Sequence, residues 1–201
     1  MDQGILTEKK HSMEIPPLLK FLDSLYSLSD KFRDHLHSTI MVTRYPKGTV
    51  LEKPVNSAAL WFIHKGMIKA SFFDDQGKEH ITRFWMEGEV ILSMGPYGDK
   101  DISGSQIVLL EDCTLSTING NKLLFLYYNF DEASKLAGKI LLRDRIKADQ
   151  KSYICSLSSV ESYKEFKKLF PYKRILLKDI AAFLEITPGT LSEIRKTLGK
   201  K

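Results

Sequence analysis

Cysteine is scarce in this chain: 201 residues hold only Cys113 and Cys155, far apart and without a CxxC spacing. That leaves no disulfide framework, zinc ribbon or four-cysteine iron–sulfur site. Both lie in apolar or mixed contexts that suit small core residues. Long apolar runs are missing too; none approaches the roughly 20 residues of a membrane span. The opening stretch, Met1 to Ser12, is polar where a secretory signal would be apolar. The expectation is a cytoplasmic chain with no membrane partner. GxSxG, P-loop and GxGxxG motifs are absent. Among the five histidines, His35 and His37 lie two apart on an expected helix and face different sides. His64 and His80 fall on separate expected strands, without an HxH and following Glu. No enzyme, no metal and no cofactor is therefore expected. No repeat and no low-complexity segment is found.

At 43% hydrophobic residues, the chain can bury one large core or two small ones. Its charge is unevenly placed. From Tyr153 onward there are 10 basic and 5 acidic residues, which leaves 20 of each sign in residues 1–152. The whole formal excess of +5 thus sits at the C-terminal end. A basic module beside a neutral one suits a polyanion-binding domain, and also suits a basic solvated tail.

Residues Pro16 to Ile40 read as helical. Leu18, Leu19, Leu22, Leu25 and Tyr26 make one apolar stripe, and Ser29 caps a second helix carrying Phe32, Leu36 and Ile40. From Val42 to about Leu124, short apolar runs alternate with turn signals such as Tyr45-Pro46-Lys47-Gly48, His64-Lys65-Gly66 and Asn119-Gly120-Asn121. Strands are expected at Leu60–Ile63, Met67–Phe73, His80–Trp85 and Ile107–Leu110. Their close spacing argues for an antiparallel sandwich or barrel. From Phe130 to Ile154 the period is helical again, with a seam of Ala133, Ala137, Ile140 and Leu141. That seam suits association with a second helix or packing within the same chain.

The segment from Lys178 to Lys196 reads as two short helices joined by a tight turn. Ile180, Ala181 and Leu184 share a face of the first; Leu191, Ile194 and Leu198 point inward from the second. Thr187 is a good N-cap and Pro188 sits at the first helical position. This is the pattern of a helix-turn-helix, whose second helix can enter a DNA major groove, and equally of an ordinary helical hairpin.

In order and spacing, the chain from about Leu18 onward resembles the cyclic-AMP receptor protein/FNR family of transcriptional regulators. The shorter form, often seen in Bacteroidetes-like sequences, is the nearer likeness. The resemblance is carried by Leu28-Ser29-Asp30, Tyr45-Pro46-Lys47-Gly48-Thr49-Val50-Leu51 and Trp61-Phe62-Ile63-His64-Lys65-Gly66. It continues in Asp75-Gln76-Gly77-Lys78-Glu79, Glu87-Gly88-Glu89, Leu110-Glu111-Asp112-Cys113-Thr114-Leu115, and Glu161 through Lys196. It implies an α+β fold. An N-terminal cyclic-nucleotide-binding-type β-roll (a double-stranded β-helix, or jelly roll) with flanking helices would span 1–128. A dimerisation helix would span 129–154, and a helix-turn-helix DNA-binding domain 155–201. The implied partners are double-stranded DNA, a second copy of the chain and an unknown small-molecule effector.

Three departures qualify what the resemblance implies. Nucleotide-binding members hold the ribose with a Gly-Glu pair and the cyclic phosphate with an Arg-Ser/Thr-Ala. Gly88 and Glu89 stand at the first element. The second aligns with Ile102-Ser103-Gly104-Ser105-Gln106, and there is no arginine between Arg83 and Arg143. A buried phosphate without a cation is costly. The expected pocket (Gly88, Glu89, Ser103, Ser105) is therefore degenerate and unresponsive to cyclic AMP, although Lys100 or backbone N–H groups offer substitutes. The recognition helix has Pro188, Gly189 and Glu193 where the cyclic-AMP receptor has its arginines and glutamate, so base preference must differ. Glu185 replaces the usual turn glycine. The sequence stops soon after this helix, so no β-hairpin wing is expected. Phosphate contacts would fall to Lys196, Lys200, Lys201 or the Lys164–Lys168 cluster. The expected DNA-contacting residues are Thr187, Thr190, Ser192, Glu193, Arg195 and Lys196. The alternative is a ligand-sensing module with a weak or inactive helix-turn-helix that acts through a protein partner.

Overall fold

Two helices open the described part of the chain, which in this computed structural model comprises residues 16–51, 59–93 and 105–199. In α1 (Pro17–Leu25), proline occupies the first turn, where its missing N–H costs nothing, and Leu18, Leu19 and Leu22 are buried. In α2 (Asp30–Thr39), the Ser29 hydroxyl accepts from the Phe32 amide at 3.3 Å, the expected cap. Phe32 and Leu36 point inward.

Eight strands follow: β1 (Met41–Tyr45), β2 (Val50–Leu51), β3 (Ala59–Lys65), β4 (Ile68–Phe73), β5 (Glu79–Trp85), β6 (Val90–Ser93), β7 (Gln106–Leu109) and β8 (Cys113–Asn119). They form two four-stranded sheets, β1-β8-β3-β6 and β2-β7-β4-β5, with every neighbour antiparallel. The expected strands lie within a residue or two of the observed ones. Gly66, at φ +110°, is obligatory in the β3–β4 turn: a Cβ there would stand 2.3 Å from the Cys113 sulfur and 3.0 Å from its Cα. Burial pushes the Cys113 thiol up to about 11, as befits a core residue.

One expectation needs correcting. Asn119-Gly120-Asn121 does not turn into another strand. It starts α3 (Gly120–Asn129), with Gly120 at φ +54°. The run Leu123-Leu124-Phe125-Leu126-Tyr127-Tyr128 has no polar beat, so neither period can be read from it. Next comes α4 (Asp131–Ser156), 26 residues long, then α5 (Ser159–Leu169), a 3-10 turn at Tyr172–Arg174, α6 (Leu177–Phe183) and α7 (Pro188–Gly199). Helix α4 runs two residues past the expected boundary at 154.

Strand β3 is buried on both faces, which explains why Ala59 to Ile63 is continuously apolar. Trp61 and Ile63 face the sandwich interior with Ile68, Trp85, Ile91, Leu109 and Leu115. Leu60 and Phe62 face the other way, into a layer built with α1, α2, α3 and α4 around Leu18, Leu22, Phe32, Leu36, Leu126, Leu136 and Ile140. A third cluster joins Met67, Ile81 and Phe84 of the sandwich to Ile154, Phe166, Ile180, Phe183, Leu191 and Ile194 of the C-terminal helices.

Of the two readings of the α4 seam, Ile140 and Ala133 follow packing within the same chain. Ile140 is buried in this chain's own helical layer, and Ala133 packs against the same layer. The apolar side chains that α4 leaves exposed are Leu141, Leu142, Ile146 and Tyr153. Leu142, Ile146 and Tyr153 recur at i, i+4 and i+11, so they form one face.

Candidate nucleic-acid interface and its junction with the sandwich

Helices α6 and α7 meet through a bend whose geometry is local. The Ile186 amide reaches back to the Ala181 carbonyl at 3.1 Å, closing α6 in a Schellman turn. That turn puts Glu185 at φ +59°, the only non-glycine residue with positive φ among the described residues. Holding a non-glycine there costs about 1 kcal/mol. Its carboxylate takes the ammonium of Lys151 from α4 at 2.9 Å. Thr187 then caps α7: its hydroxyl accepts from the Thr190 amide at 3.1 Å, and Pro188 is the first helical residue. Leu191 and Ile194 anchor α7 onto the cluster below.

Outside that buried face, on the cap, flanks and outer side of α7, Thr187, Thr190, Glu193, Arg195 and Lys196 are exposed and Ser192 is half-buried. The six residues singled out from the sequence thus lie on one helix and its cap. The Thr187 and Thr190 hydroxyls are bonded to each other at 2.9 Å, and Lys196 pairs with Glu193 at 3.1 Å. Arg195 has no ion pair among the described residues. Of the supporting lysines, Lys164 and Lys168 each hold a glutamate one turn back, Glu161 at 2.7 Å and Glu165 at 2.6 Å. These are exposed pairs that a polyanion exchanges at little cost. Lys200 and Lys201 lie outside the described residues.

The junction between this unit and the sandwich was not foreseen. Lys69 of β4 reaches Asp179 of α6 at 2.9 Å and Glu79 of β5 at 2.7 Å. Asp179 is 1% exposed and Lys69 7%. Burial alone would lower the Lys69 pKa; bonds to the two carboxylates outweigh it and carry it above the usual lysine value. A lysine in an otherwise apolar strand was the available signal, but its partner stands 110 residues away. At the edge of the junction, Arg174 grips Glu87 with two bonds, at 2.6 and 3.0 Å, and also holds Glu111. Arg174 holds the Glu87 carboxyl down to about 2, helped by the Gly66 amide. An aromatic cluster fills the centre: Phe84 lies 6.0, 5.5 and 5.2 Å from the rings of Phe166, Phe170 and Phe183.

Of the expected ligand-pocket residues, Gly88, Glu89 and Ser105 are described. Gly88, at φ +81°, makes the β5–β6 turn, and its amide bonds to Ile63. The Glu89 carboxylate accepts from the Met86 amide at 2.9 Å and pairs with Lys147 of α4 at 2.6 Å. Ser105 precedes β7, a strand of the sheet that also holds β5. Ser103 and Lys100 lie outside the described residues. Arg83, the last arginine before the long gap, is engaged with Asp144 of α4 at 3.2 and 3.4 Å. His64 is bonded to Ser116 at 2.6 Å and His80 to Asp74 at 2.8 Å, on strands of different sheets. No helix among the described residues is long and apolar enough to cross a membrane.

Residues 42–129 match the family model of the cyclic nucleotide-binding domain. The fold is similar to that of three solved structures. FixK2 from Bradyrhizobium japonicum has a TM-score of 0.68 at 13% identity, with 80% of this chain and 85% of that one covered. The c-di-GMP responsive global regulator CLP of Xanthomonas campestris gives 0.65 at 16%, covering 86% and 92%. A Eubacterium rectale protein assigned to the crp/fnr family of transcriptional regulators gives 0.70 at 11%, covering 90% and 88%. No curated protein matches the chain in sequence. At these identities the likeness is one of fold: a cyclic-nucleotide-binding-type sandwich followed by C-terminal helices.

Proposed function

We propose that this chain is a DNA-binding transcriptional regulator of the cyclic-AMP receptor protein/FNR type, with a sensor sandwich that does not respond to cyclic AMP. One observation carries the reading. The α6–α7 pair keeps the bend, the Thr187 cap and the inward Leu191 and Ile194, while α7 offers hydroxyls and cations outward. The domain assignment belongs to the same reading: residues 1–128 as sensor, 129–154 as dimerisation helix, 155–201 as DNA-binding domain. Insensitivity to cyclic AMP is supported by the arginine gap from residue 84 to 142 and by the commitment of Arg83 to Asp144.

A homodimer is part of this proposal. Its seam is the exposed α4 face of Leu142, Ile146 and Tyr153. Two-fold symmetry would set two α7 helices about 34 Å apart, one turn of DNA. Sedimentation at micromolar concentration should give twice the 23.0 kDa chain mass.

The deciding experiment is fluorescence anisotropy on genomic DNA fragments across a salt series. Affinity should fall with a log–log slope of about −0.9 per phosphate contact. Arg195→Ala should weaken binding by about 1–3 kcal/mol on the preferred site if it reads a base. Absence of binding on every fragment at low salt would remove the assignment. The rival reading, a sensor that acts through a protein partner, is favoured by one feature: Glu193 sits mid-face on α7 and occupies Lys196. It expects no salt-dependent DNA binding.

A further inference from the structure

A cavity of about 110 Å³ lies where β5, α4, α5 and α6 meet, between the sandwich and the C-terminal helices. Its floor is aromatic: the rings of Phe84, Phe170 and Phe183 stand 5.2 to 5.5 Å from one another. Its rim carries three cations, Arg83, Lys147 and Lys151, against one lining carboxylate, Glu89. Lys147 and Lys151 are one helical turn apart on α4 and therefore neighbours.

Every cation has a present partner: Asp144 for Arg83 at 3.2 Å, Glu89 for Lys147 at 2.6 Å, Glu185 for Lys151 at 2.9 Å. Glu185 is exposed and Asp144 and Glu89 are partly so, which makes these pairs exchangeable for another anion. An ordinary packing gap would be lined by apolar groups alone and stay dry. This one combines an aromatic floor with three ion pairs at the mouth, whose cations line it while two of their carboxylates, Asp144 and Glu185, stand outside the lining. That pairing suits a flat apolar body bearing a single negative group.

We propose that the junction cavity binds small aromatic carboxylates, with the ring on Phe84, Phe170 and Phe183 and the carboxylate on Lys147 and Lys151. An engineered cavity of about 150 Å³ takes up benzene whole; at about 110 Å³ this one encloses part of a ring, and the rest of the ligand stands in the mouth. Here exposed Leu169 and Gln150 mark an open rim, where the carboxylate remains at the mouth. The site lies outside the sandwich interior, where the sequence placed its degenerate pocket. Lys151 also connects it to the helix-turn-helix, because its present partner Glu185 forms the bend between α6 and α7. Drawing Lys151 to a ligand unties α4 from that bend, so occupancy changes DNA affinity. This last step rests on the DNA-binding reading; the binding itself does not.

Calorimetric titration of the full chain with benzoate tests the site, with benzamide as the uncharged match and acetate as the charge without the ring. Benzoate should saturate with a dissociation constant of about 1 mM or tighter, as its atom count permits. Benzamide and acetate should bind at least about tenfold more weakly. Lys147→Met removes the anchoring charge, and Leu169→Trp fills the rim without touching any charge; each should weaken benzoate about tenfold or more. Thermal melting of both variants establishes that they fold. A linear benzoate trace up to about 10 mM, equal binding of benzamide, or wild-type affinity in folded Leu169→Trp would overturn the site. Anisotropy with DNA in the presence of benzoate is the separate arm. Benzoate binding that leaves DNA affinity unchanged overturns the coupling alone. A chain that takes benzoate but binds no DNA refutes the regulator reading and leaves the cavity assignment standing.

Discussion

The sandwich is covered by helices on two sides, and the two covers are made differently. Against the β1-β8-β3-β6 sheet, α1 to α4 close with Leu60, Phe62, Leu22, Phe32, Leu36, Leu126, Leu136 and Ile140, an almost wholly apolar layer. Against β4, β5 and neighbouring turns, the C-terminal helices close with the phenylalanine cluster and with ion pairs, Lys69 with Asp179 and Arg174 with Glu87 and Glu111, while Lys151 of α4 ties the α6–α7 bend at Glu185. An apolar layer loses all its free energy when opened. A layer stitched by charges recovers hydration for each group that it exposes, so it separates at lower cost. The first cover behaves as permanent core. The second has the composition of a joint.

Truncations at the centre of each cover should break this contrast most clearly. Phe32→Ala deletes a ring that is 2% exposed and should cost about 3–5 kcal/mol, seen as one cooperative denaturant transition shifted as a whole. Asp179→Ala leaves Lys69 buried with only Glu79, a loss of similar size, about 3–5 kcal/mol. Its effect should be local: the C-terminal helices loosen, and amide exchange rises in α5 to α7 while the sandwich amides stay protected. Equal loss of protection in both halves would show that the two covers are energetically one.

A milder change sharpens the same point. Replacing the buried charges together, as K69M/E79Q/D179L, removes desolvation cost and Coulomb attraction at once. The expected change in stability is within about 1 kcal/mol of zero, measured by urea unfolding. A large destabilisation would mean that the pairs supply net energy to the joint instead of fixing its register.

Acid offers a graded version. Glu87 is held at about 2, first by Arg174 and also by the Gly66 amide, well below its unfolded value of 4.5. A carboxyl with a depressed folded pKa contributes its stability in full above the unfolded pKa. That contribution is lost as pH falls from about 5 toward 2. The Glu87 side chain is 38% exposed, so screening reduces the contribution to about 1 kcal/mol. Glu87→Gln should flatten this part of the stability–pH curve; an unchanged slope would remove Arg174 from the joint.

How far the sequence discloses this follows from distance along the chain. The Ser29 and Thr187 caps, the β4–β5 hairpin and the inward stripes of α6 and α7 are set within a few residues, and each is readable there. Two features with ambiguous periods are not. Helix α3 is concealed in an unbroken apolar run. On α4 two apolar stripes share one helix, and the stripe facing the chain's own core hides the exposed one of Leu142, Ile146 and Tyr153. The joint is the extreme case. Lys69 and Asp179, Glu87 and Arg174, and Lys151 and Glu185 are paired across long sequence separations. Apart from Lys69, the one charge in β4, nothing local marks these residues as more than surface charge. The cavity between the covers is equally invisible, since its lining comes from four separate elements.

The smallest effect concerns the strained bend itself. Glu185→Gly relieves the positive-φ strain, a gain of about 1 kcal/mol. It also deletes the pair with Lys151, whose carboxylate side is 52% exposed and therefore contributes no more than about 0.5 kcal/mol. The strain term wins, and the C-terminal helices should be stabilised by about 0.5 kcal/mol in urea unfolding. The same substitution frees Lys151 to face the cavity mouth without a competitor. Stability and anion affinity should therefore rise together. If Glu185→Gly destabilises the chain, the Lys151 pair outweighs the strain, and the bend is held by the joint instead of merely tolerated by it.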